Sequence, residues 1–403
     1  MQIFYPYLKL SQELDHLPAV SAEFCVEFKK LYNPIRPGVN ENIDWLTFRD
    51  NIWSISGSLS ALLEPANRKL VPIFFDFIDN EYTKELRFQD LRPTESLVKD
   101  ENSGKISRQK TKKMLINCLT LFANFKNQTG LFREPELKEF CIDLLQSPDA
   151  QLQKAAISYL GAYKKEFVAR YKNIFDDLVN DDAFKTTFNK VMLKEDGGSD
   201  EVIKPHDEDQ VLEFTLRIAF GKMISKISAS TAGKDSAVNR QKFIIKYLAD
   251  SKLSHLKLFY NLATECTQYL KVDDHKNAIT NCWPLGKQLG TLQTLHTIIK
   301  SVNWLNKGEG LLDIRSDMVK AVIKFGVHAD FVLSKKDALK PAAIRQMKDI
   351  RGMAILALKT FSESSGHKFD QERIIIEKNI FNFVYASFNL NHTISESVFK
   401  GVP

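Results

Sequence analysis

Apolar residues recur every three or four positions from Lys110 onward, and this spacing limits the possible folds more than any other feature of the sequence. Within residues 114–125, one continuous stripe is formed by Leu115, Cys118, Leu119, Phe122 and Phe125. A repeat close to 3.6 residues predicts an amphipathic α-helix. The same spacing predicts helices at 136–145, 150–160, 167–178, 182–193, 207–223, 239–248, 255–270, 289–304, 312–325, 341–362 and 372–388. No predicted strands joined by an Asn-Gly or Asp-Gly hairpin interrupt them, so the chain is predicted to be all-α.

Two of these helices are joined by the short turn Gln146-Ser-Pro-Asp149 and resemble one unit of a HEAT repeat. Small residues in the middle of the second helix, Ala155 and Ala156, would let two antiparallel helices approach closely. We expect Ser147 to cap this helix and Pro148 to be its first residue. The predicted fold is an irregular HEAT/armadillo-like α-solenoid of antiparallel helix pairs. Because the repeat period is irregular, an irregular helical bundle is the alternative.

Polar stretches indicate where the helical region is divided. Residues 92–108 contain few apolar side chains, and residues 195–201 are acidic with two adjacent glycines. We therefore predict a loosely helical N-terminal segment over 1–104, HEAT-like helix pairs over 105–194, an acidic flexible linker over 195–206 and further repeats of the same solenoid over 207–403.

The composition is that of an ordinary globular protein and excludes several classes. A net charge of +6 over 403 residues is too small to indicate nucleic-acid or lipid binding over the whole surface. Five cysteines without a CxxC pair indicate neither a disulfide framework nor a zinc site. The N-terminus lacks a secretory signal pattern, and the most apolar run, 71–78, is far shorter than the roughly 20 residues of a membrane span. We expect a soluble intracellular protein with no membrane partner.

No motif in the sequence predicts an enzyme. Residues 228–236 match a phosphate-binding loop only in part, because Ser228 stands where the first glycine is needed and no apolar strand precedes it. The eight histidines include no HExxH motif, and no GxSxG motif occurs. We therefore predict no catalytic residues, no metal, no cofactor and no small-molecule substrate.

Two clusters of basic residues are candidate RNA-binding sites. The first comprises Lys105, Arg108, Lys110, Lys112 and Lys113, and the second comprises Lys222, Lys226, Lys234, Arg240 and Lys242. Each could neutralise several phosphates and add a salt-dependent affinity that does not depend on base sequence. The alternative is a solvated loop with ordinary lysines, because neither cluster is interleaved with the exposed aromatic residues on which single-stranded RNA stacks.

The ordered succession of several segments resembles the down-regulated-in-metastasis family, whose members are very large HEAT-repeat proteins. The resemblance covers about residues 110–390. The segments that carry it include Phe122-Ala-Asn-Phe-Lys-Asn-Gln-Thr-Gly-Leu-Phe-Arg133, Leu144-Leu-Gln-Ser-Pro-Asp-Ala-Gln-Leu-Gln-Lys-Ala-Ala156, Tyr171-Lys-Asn-Ile-Phe-Asp-Asp-Leu178 and Arg217-Ile-Ala-Phe-Gly-Lys-Met223. The last segment departs from the family pattern, which tends to have Arg where this chain has Lys222. The chain is also several times shorter than the family members.

This resemblance implies a non-catalytic scaffold of the small-subunit processome that acts in ribosomal RNA processing and small ribosomal subunit biogenesis in the nucleolus and nucleus. The implied partners are processome proteins, pre-ribosomal RNA and small nucleolar RNA-protein particles. Residues 217–240 would be a candidate contact with RNA or with neighbouring processome proteins. Two alternatives stay open at this point. One is a transport-receptor-like or general helical-repeat adaptor that binds proteins only, and the other is a hydrolase on a helical fold.

Overall fold

The computed structural model describes residues 45–93, 108–164, 166–193, 203–224, 242–248, 253–301 and 310–363. Its α-helices are α1 (Trp45–Ser56), α2 (Ser60–Leu63), α3 (Asn67–Phe77), α4 (Arg108–Ala123), α5 (Glu134–Leu144), α6 (Ala150–Gly161), α7 (Phe167–Arg170), α8 (Lys172–Val179), α9 (Phe184–Leu193), α10 (Glu208–Ile224), α11 (242–248), α12 (Leu253–Glu265), α13 (His275–Thr280), α14 (Leu285–Ser301), α15 (Gly310–Leu333) and α16 (Pro341–Glu363). A π-helix, Ile78–Arg87, directly continues α3.

The predicted fold class is confirmed for these ranges, which are all-α and HEAT/armadillo-like. They contain one isolated antiparallel β-bridge, between Gln89 and Cys282, and no strand. The helix predicted at 372–388 lies outside the described residues.

The predicted helix pair around the turn 146–149 corresponds to α5 and α6, but the cap differs from the prediction. Helix α6 begins at Ala150, and the Asp149 side chain accepts a hydrogen bond from the Gln151 N–H at 2.9 Å. Asp149 is therefore the N-cap, and Pro148 lies outside the helix. The Ser147 hydroxyl instead accepts a hydrogen bond from the Asp149 N–H at 3.2 Å. The cap therefore lies two residues later than predicted, at Asp149 rather than at Ser147.

Two other helices differ from their predicted lengths. The single helix expected at 167–178 is divided at Tyr171, whose φ of −106° and ψ of 21° interrupt the helix between α7 and α8. Helix α15 continues beyond Phe325, its predicted end, through Gly326 to Leu333. The glycine does not end the helix because Ala329, Val332 and Leu333 beyond it are fully buried, and their burial outweighs the roughly 1 kcal/mol that glycine costs a helix.

The described residues divide into two compact units. The first draws on Met1–Leu86, Leu97–Cys141 and Ser158–Ala169, and the second on Arg87–Ser96, Ile142–Ile157 and Arg170–Pro403. The predicted boundary at residue 104 and most of the predicted linker at 195–206 lie outside the described residues.

The first unit is organised around buried aromatic residues of α1, α3 and α4. Trp53, Phe74 and Phe122 are all fully buried, and the rings of Phe74 and Phe122 meet edge to face at 5.3 Å between centres. Beside them, Arg49 of α1 donates to both carboxylate oxygens of Glu81 at 2.7 and 2.8 Å. This buried ion pair connects α1 to the π-helix.

In the second unit, α16 packs against both α14 and α15. Near its C-terminus, the carbonyl of Phe361 accepts a hydrogen bond from Arg315, near the start of α15, at 2.9 Å. Farther along, Arg351 pairs with Asp330, near the end of α15, at 2.8 Å. These two contacts show that α15 and α16 are antiparallel, as the predicted HEAT-like helix pairs are.

Candidate nucleic-acid interface

The turn 146–149 and helix α10 approach each other closely at Gly221. A Cβ atom on Gly221 would lie 2.5 Å from the Ser147 carbonyl oxygen and 2.7 Å from the Gln153 side-chain nitrogen, so only glycine fits here. The buried Gln153 amide donates to the Leu145 carbonyl at 2.8 Å and to the Ile218 carbonyl at 3.4 Å. We call this contact between residues 144–156 and 217–223 the junction.

Lys222 extends the junction to α8 and α9. Its Nζ donates to the carbonyl oxygen of Val179, the last residue of α8, at 2.8 Å, and pairs with Asp181 at 2.5 Å. It also lies 5.4 Å from the centre of the Phe184 ring, and only 7% of the Lys222 side chain is exposed. A positive charge at a helix C-terminus is favourable because the last carbonyl groups lack partners within the helix. The Lys222 ammonium is thus engaged inside the protein.

A second set of polar contacts, made by Arg170 and Tyr171, holds the start of α10. The Asp207 carboxylate is almost fully buried and accepts hydrogen bonds from Arg170 at 2.6 Å and from the Tyr171 hydroxyl at 3.0 Å. The Tyr171 hydroxyl in turn accepts from the Lys204 N–H at 2.9 Å. The C-terminal end of the predicted linker is therefore held by specific polar contacts at Lys204 and, just beyond the linker, at Asp207.

Helix α11 packs on α9 through aromatic residues. The Phe188 ring of α9 meets Phe243 and Tyr247 of α11, each at 5.5 Å between ring centres. Phe243 and Tyr247 are partly buried and stand one helical turn apart. The Tyr247 hydroxyl lies 2.8 Å from Nδ1 of His255, which fixes the orientation of this ring.

Lysines surround these partly exposed rings. Lys242 and Lys246 are exposed and stand one turn apart on α11. From α9, the exposed Lys185 places its Nζ 5.7 Å from the centre of the Phe243 ring, within the range of a cation–π contact. We call Lys185, Lys242, Phe243, Lys246 and Tyr247 the α9–α11 surface. Single-stranded nucleic acid is bound by surfaces on which lysines contact the phosphates and neighbouring aromatic rings stack on the bases.

The first basic cluster lies at the N-terminus of α4 in the first unit. Arg108, Lys110 and Lys113 are exposed, and Lys113 pairs with Asp50 at 2.8 Å. Lys105 lies outside the described residues. The first turn of α4 carries basic side chains at the positive end of the helix dipole. It contains no acidic residue that would offset their charge.

Of the five residues in the second predicted cluster, the structure describes two. Lys222 lies in the junction and Lys242 on the α9–α11 surface, whereas Lys226, Lys234 and Arg240 lie outside the described residues, as does the segment 228–236. RNA binding by these five residues stays a prediction.

The alternative of a solvated loop rested on the absence of exposed aromatic residues beside the basic clusters. Beside Lys242, the structure places two aromatic residues that are partly buried. Phe243 and Tyr247 alternate with Lys242 and Lys246 along α11. This repeat of a lysine followed by an aromatic residue at positions i and i+4 was the available signal in the sequence. No local signal indicated Lys185, because only tertiary packing brings α9 to α11.

Two cysteines of the second unit, Cys266 and Cys282, are deeply buried. Burial raises the pKa of the thiols of Cys266 and Cys282 to about 12, which keeps them protonated and unreactive. No group of three or more His, Cys, Asp or Glu side chains within the described ranges is arranged to hold a metal ion. None of the helices described is both long and apolar enough to span a bilayer.

Comparison with known protein families assigns the chain. A family model described as "U3 small nucleolar RNA-associated protein 20, N-terminal" matches residues 109–397, which is more than half of the 403 residues. The chain belongs to this family. U3 small nucleolar RNA-associated protein 20 of Saccharomyces cerevisiae is 25% identical over 260 residues, which make up 62% of this chain and 10% of the yeast protein. The chain thus spans about a tenth of the length of this relative.

Membership in the U3 small nucleolar RNA-associated protein 20 family confirms the resemblance to the down-regulated-in-metastasis family. The matched residues include the junction and the α9–α11 surface. Two of the segments that carry the resemblance, 144–156 and 217–223, pack against each other in the second unit through Gln153 and Gly221.

Proposed function

We propose that this chain acts in ribosomal RNA processing and small ribosomal subunit biogenesis, as a non-catalytic HEAT-repeat scaffold of the small-subunit processome in the nucleolus. Support for this proposal comes from its family, whose yeast member is named for its association with the U3 small nucleolar RNA. The proposed partners are other processome proteins and pre-ribosomal RNA within small nucleolar RNA-protein particles.

The α9–α11 surface is the proposed contact with RNA, and it is the structural observation on which the RNA part of the proposal depends. Lys185, Lys242 and Lys246 would neutralise phosphates, and the partly buried Phe243 and Tyr247 would stack on bases. Lys226, Lys234 and Arg240 belong to the same proposal, since they precede α11 in the chain.

The role proposed for Lys222 differs from that of Lys242. Its ammonium already bonds to Val179 and Asp181, so a phosphate would have to displace both partners. We therefore propose that Lys222 supports the surface indirectly, by holding α9 in place against α10.

The test is a binding titration with fluorescein-labelled single-stranded RNA, using the triple variant Lys185→Glu/Lys242→Glu/Lys246→Glu. We expect the affinity to fall at least about tenfold and to depend less steeply on salt, because fewer counterions are released on binding. The matched control is Lys257→Glu/Lys335→Glu/Lys348→Glu, which changes the net charge equally at exposed positions elsewhere in the second unit.

Equal losses for the two triple variants would show that only overall charge matters, and would contradict the proposed surface. Absence of RNA binding by the unmodified chain would favour the protein-only adaptor, whose contacts would show little salt dependence.

A further inference from the structure

An open groove runs between α12 and α15 in the second unit, separate from the α9–α11 surface. Its volume is about 520 Å³, and nine of its ten lining residues carry a polar side-chain group. On the α15 side, Asp317, Lys320, Ala321 and Lys324 follow one another at the spacing of a single helix face. Ala321 has no side-chain atom beyond Cβ, and this leaves the space between the two helices open.

The opposite wall presents hydrogen-bonding groups at regular intervals. Asn261 and Gln268 are exposed along α12 and the 3-10 turn that follows it, with Thr264 between them. Among the residues that the structure describes, the side-chain amides of Asn261 and Gln268 have no hydrogen-bond partner. Each amide can donate to a carbonyl and accept from an N–H at the same time, which matches the two groups of a peptide unit.

Charges of both signs line the groove. Lys320 pairs with Asp317 at 3.0 Å, and Glu265 accepts a hydrogen bond from Gln146 at 3.3 Å. Lys324 has no ion-pair partner within the described ranges, so one positive charge is available on the α15 wall.

These features discriminate between classes of ligand. The carboxylates of Asp317 and Glu265 balance the two lysines of the lining, so the groove has no net positive charge to attract the phosphates of RNA. A small molecule would need an enclosed pocket to be buried, and this groove is open. The backbone N–H and C=O groups of an extended peptide could hydrogen-bond to the two side-chain amides. Its acidic and basic side chains could pair with Lys324 and Glu265, respectively.

We propose that the α12–α15 groove binds an extended segment of a partner protein, with an acidic side chain at Lys324 and the peptide backbone along Asn261 and Gln268. This proposal does not depend on RNA binding by the α9–α11 surface. Backbone hydrogen bonds would provide affinity, and the charged side chains would set the register of the bound segment.

Fluorescence anisotropy with the whole chain tests the groove. The probes are fluorescein-labelled decapeptides of Gly and Ser that carry one Glu and one Lys at different separations. We expect at least one of them to bind, and we expect Lys324→Glu to lower its affinity about tenfold through loss of a charge-assisted hydrogen bond. Replacing the peptide's Glu with Lys should restore binding to the Lys324→Glu variant.

Two further variants complete the experiment. Asn261→Ala/Gln268→Ala removes only exposed side chains, so it should weaken binding without unfolding the protein, and Lys257→Ala on the same helix is the matched control. The proposal would be overturned if no peptide of the set bound, if Lys257→Ala weakened binding as much as the double variant, or if single-stranded RNA displaced the bound peptide from a chain lacking the α9–α11 lysines.

Discussion

Gly221 lies so close to the main chain of Ser147 that a methyl group on its Cα would meet the Ser147 carbonyl oxygen at 2.5 Å. This contact joins α10 to the turn before α6, and the rigid backbone on both sides leaves little room for adjustment. It makes Gly221 the position at which the junction is most sensitive to added volume.

We predict that Gly221→Ala destabilises the protein by about 2–3 kcal/mol, because overpacking forces the backbone of the turn to move. The matched control is Gly352→Ala in α16, where a Cβ atom would meet nothing within 4 Å. That substitution should stabilise the protein by about 0.5–1 kcal/mol, since alanine favours a helix more than glycine does. Urea unfolding measures both, and equal effects at the two glycines would contradict the close approach.

Lys222 and Lys242 provide a second contrast. Lys222→Met should lower the free energy of unfolding by about 1–2 kcal/mol, because the Val179 carbonyl loses its donor. Lys242→Met should change stability by less than about 0.5 kcal/mol and should weaken RNA binding instead. Chemical unfolding and RNA titration of both variants check this, and a stable Lys222→Met variant with strongly reduced RNA affinity would show that Lys222 contacts RNA directly.

Replacing only one member of the buried ion pair between Arg49 and Glu81 should lower the free energy of unfolding strongly. Arg49→Met leaves the Glu81 carboxylate buried without its guanidinium, and we expect a loss of about 3–5 kcal/mol. Arg49→Met/Glu81→Leu should recover most of that loss, because no buried charge is left. Lys172→Met, which breaks the exposed pair with Asp176, is the control and should change stability by less than about 0.5 kcal/mol. Unfolding curves of all three variants complete the comparison.

Stability should also decrease in mild acid because of His328. Burial lowers the pKa of His328, and the nearby positive charge of Lys324 lowers it further. The unfolded chain therefore binds a proton at a higher pH than the folded chain does, and protonation favours unfolding. The free energy of unfolding should be constant above about pH 7 and fall as the pH drops below about 6.5, by at most about 1.4 kcal/mol per pH unit for this group.

Urea unfolding between pH 7.5 and 5 measures this dependence, and the control is His328→Asn. The variant should be less stable overall and should show a shallower slope in acid. His296, whose pKa burial also lowers, would account for part of the remaining slope. A slope unchanged by His328→Asn would exclude His328 as its source.

The proposed stacking of RNA bases on Phe243 can be tested separately from the contacts of phosphates with lysines. Phe243→Ala should weaken single-stranded RNA binding by about 1–3 kcal/mol without changing the salt slope, because the lost contact is not electrostatic. Since Phe243 also packs on Phe188, circular dichroism must show that the helical content is retained. Phe132→Ala, at an exposed phenylalanine in the first unit, is the control and should leave RNA binding unchanged. A reduced salt slope in Phe243→Ala would instead point to displaced lysines.

Most helices of the fold could be predicted from the sequence because each buries an apolar stripe. The apolar spacing predicts a helix at 341–362, and α16 spans Pro341–Glu363. It also predicts a helix at 207–223, and α10 spans Glu208–Ile224. The helix ends that differ depend on tertiary contacts. The side chain of Tyr171 reaches Asp207, 36 residues away, and buried residues beyond Gly326 keep α15 helical.

The candidate site was predictable only in part. Lys242 followed from the clustering of basic residues, but Lys185 lies on another helix, α9, which packs on α11 through Phe188. The sequence also could not separate Lys222 from Lys242, since both are lysines of one cluster. Their different environments arise because Lys222 projects toward the end of α8.

Purification of the tagged chain from cells, with quantification of the co-purifying U3 small nucleolar RNA, tests the proposed processome function most directly. We predict that this RNA is enriched over a tag-only control, and that the enrichment falls for Lys185→Glu/Lys242→Glu/Lys246→Glu but not for Lys257→Glu/Lys335→Glu/Lys348→Glu. Recovery of the chain with transport factors and without any enrichment of small nucleolar RNA would contradict the proposal.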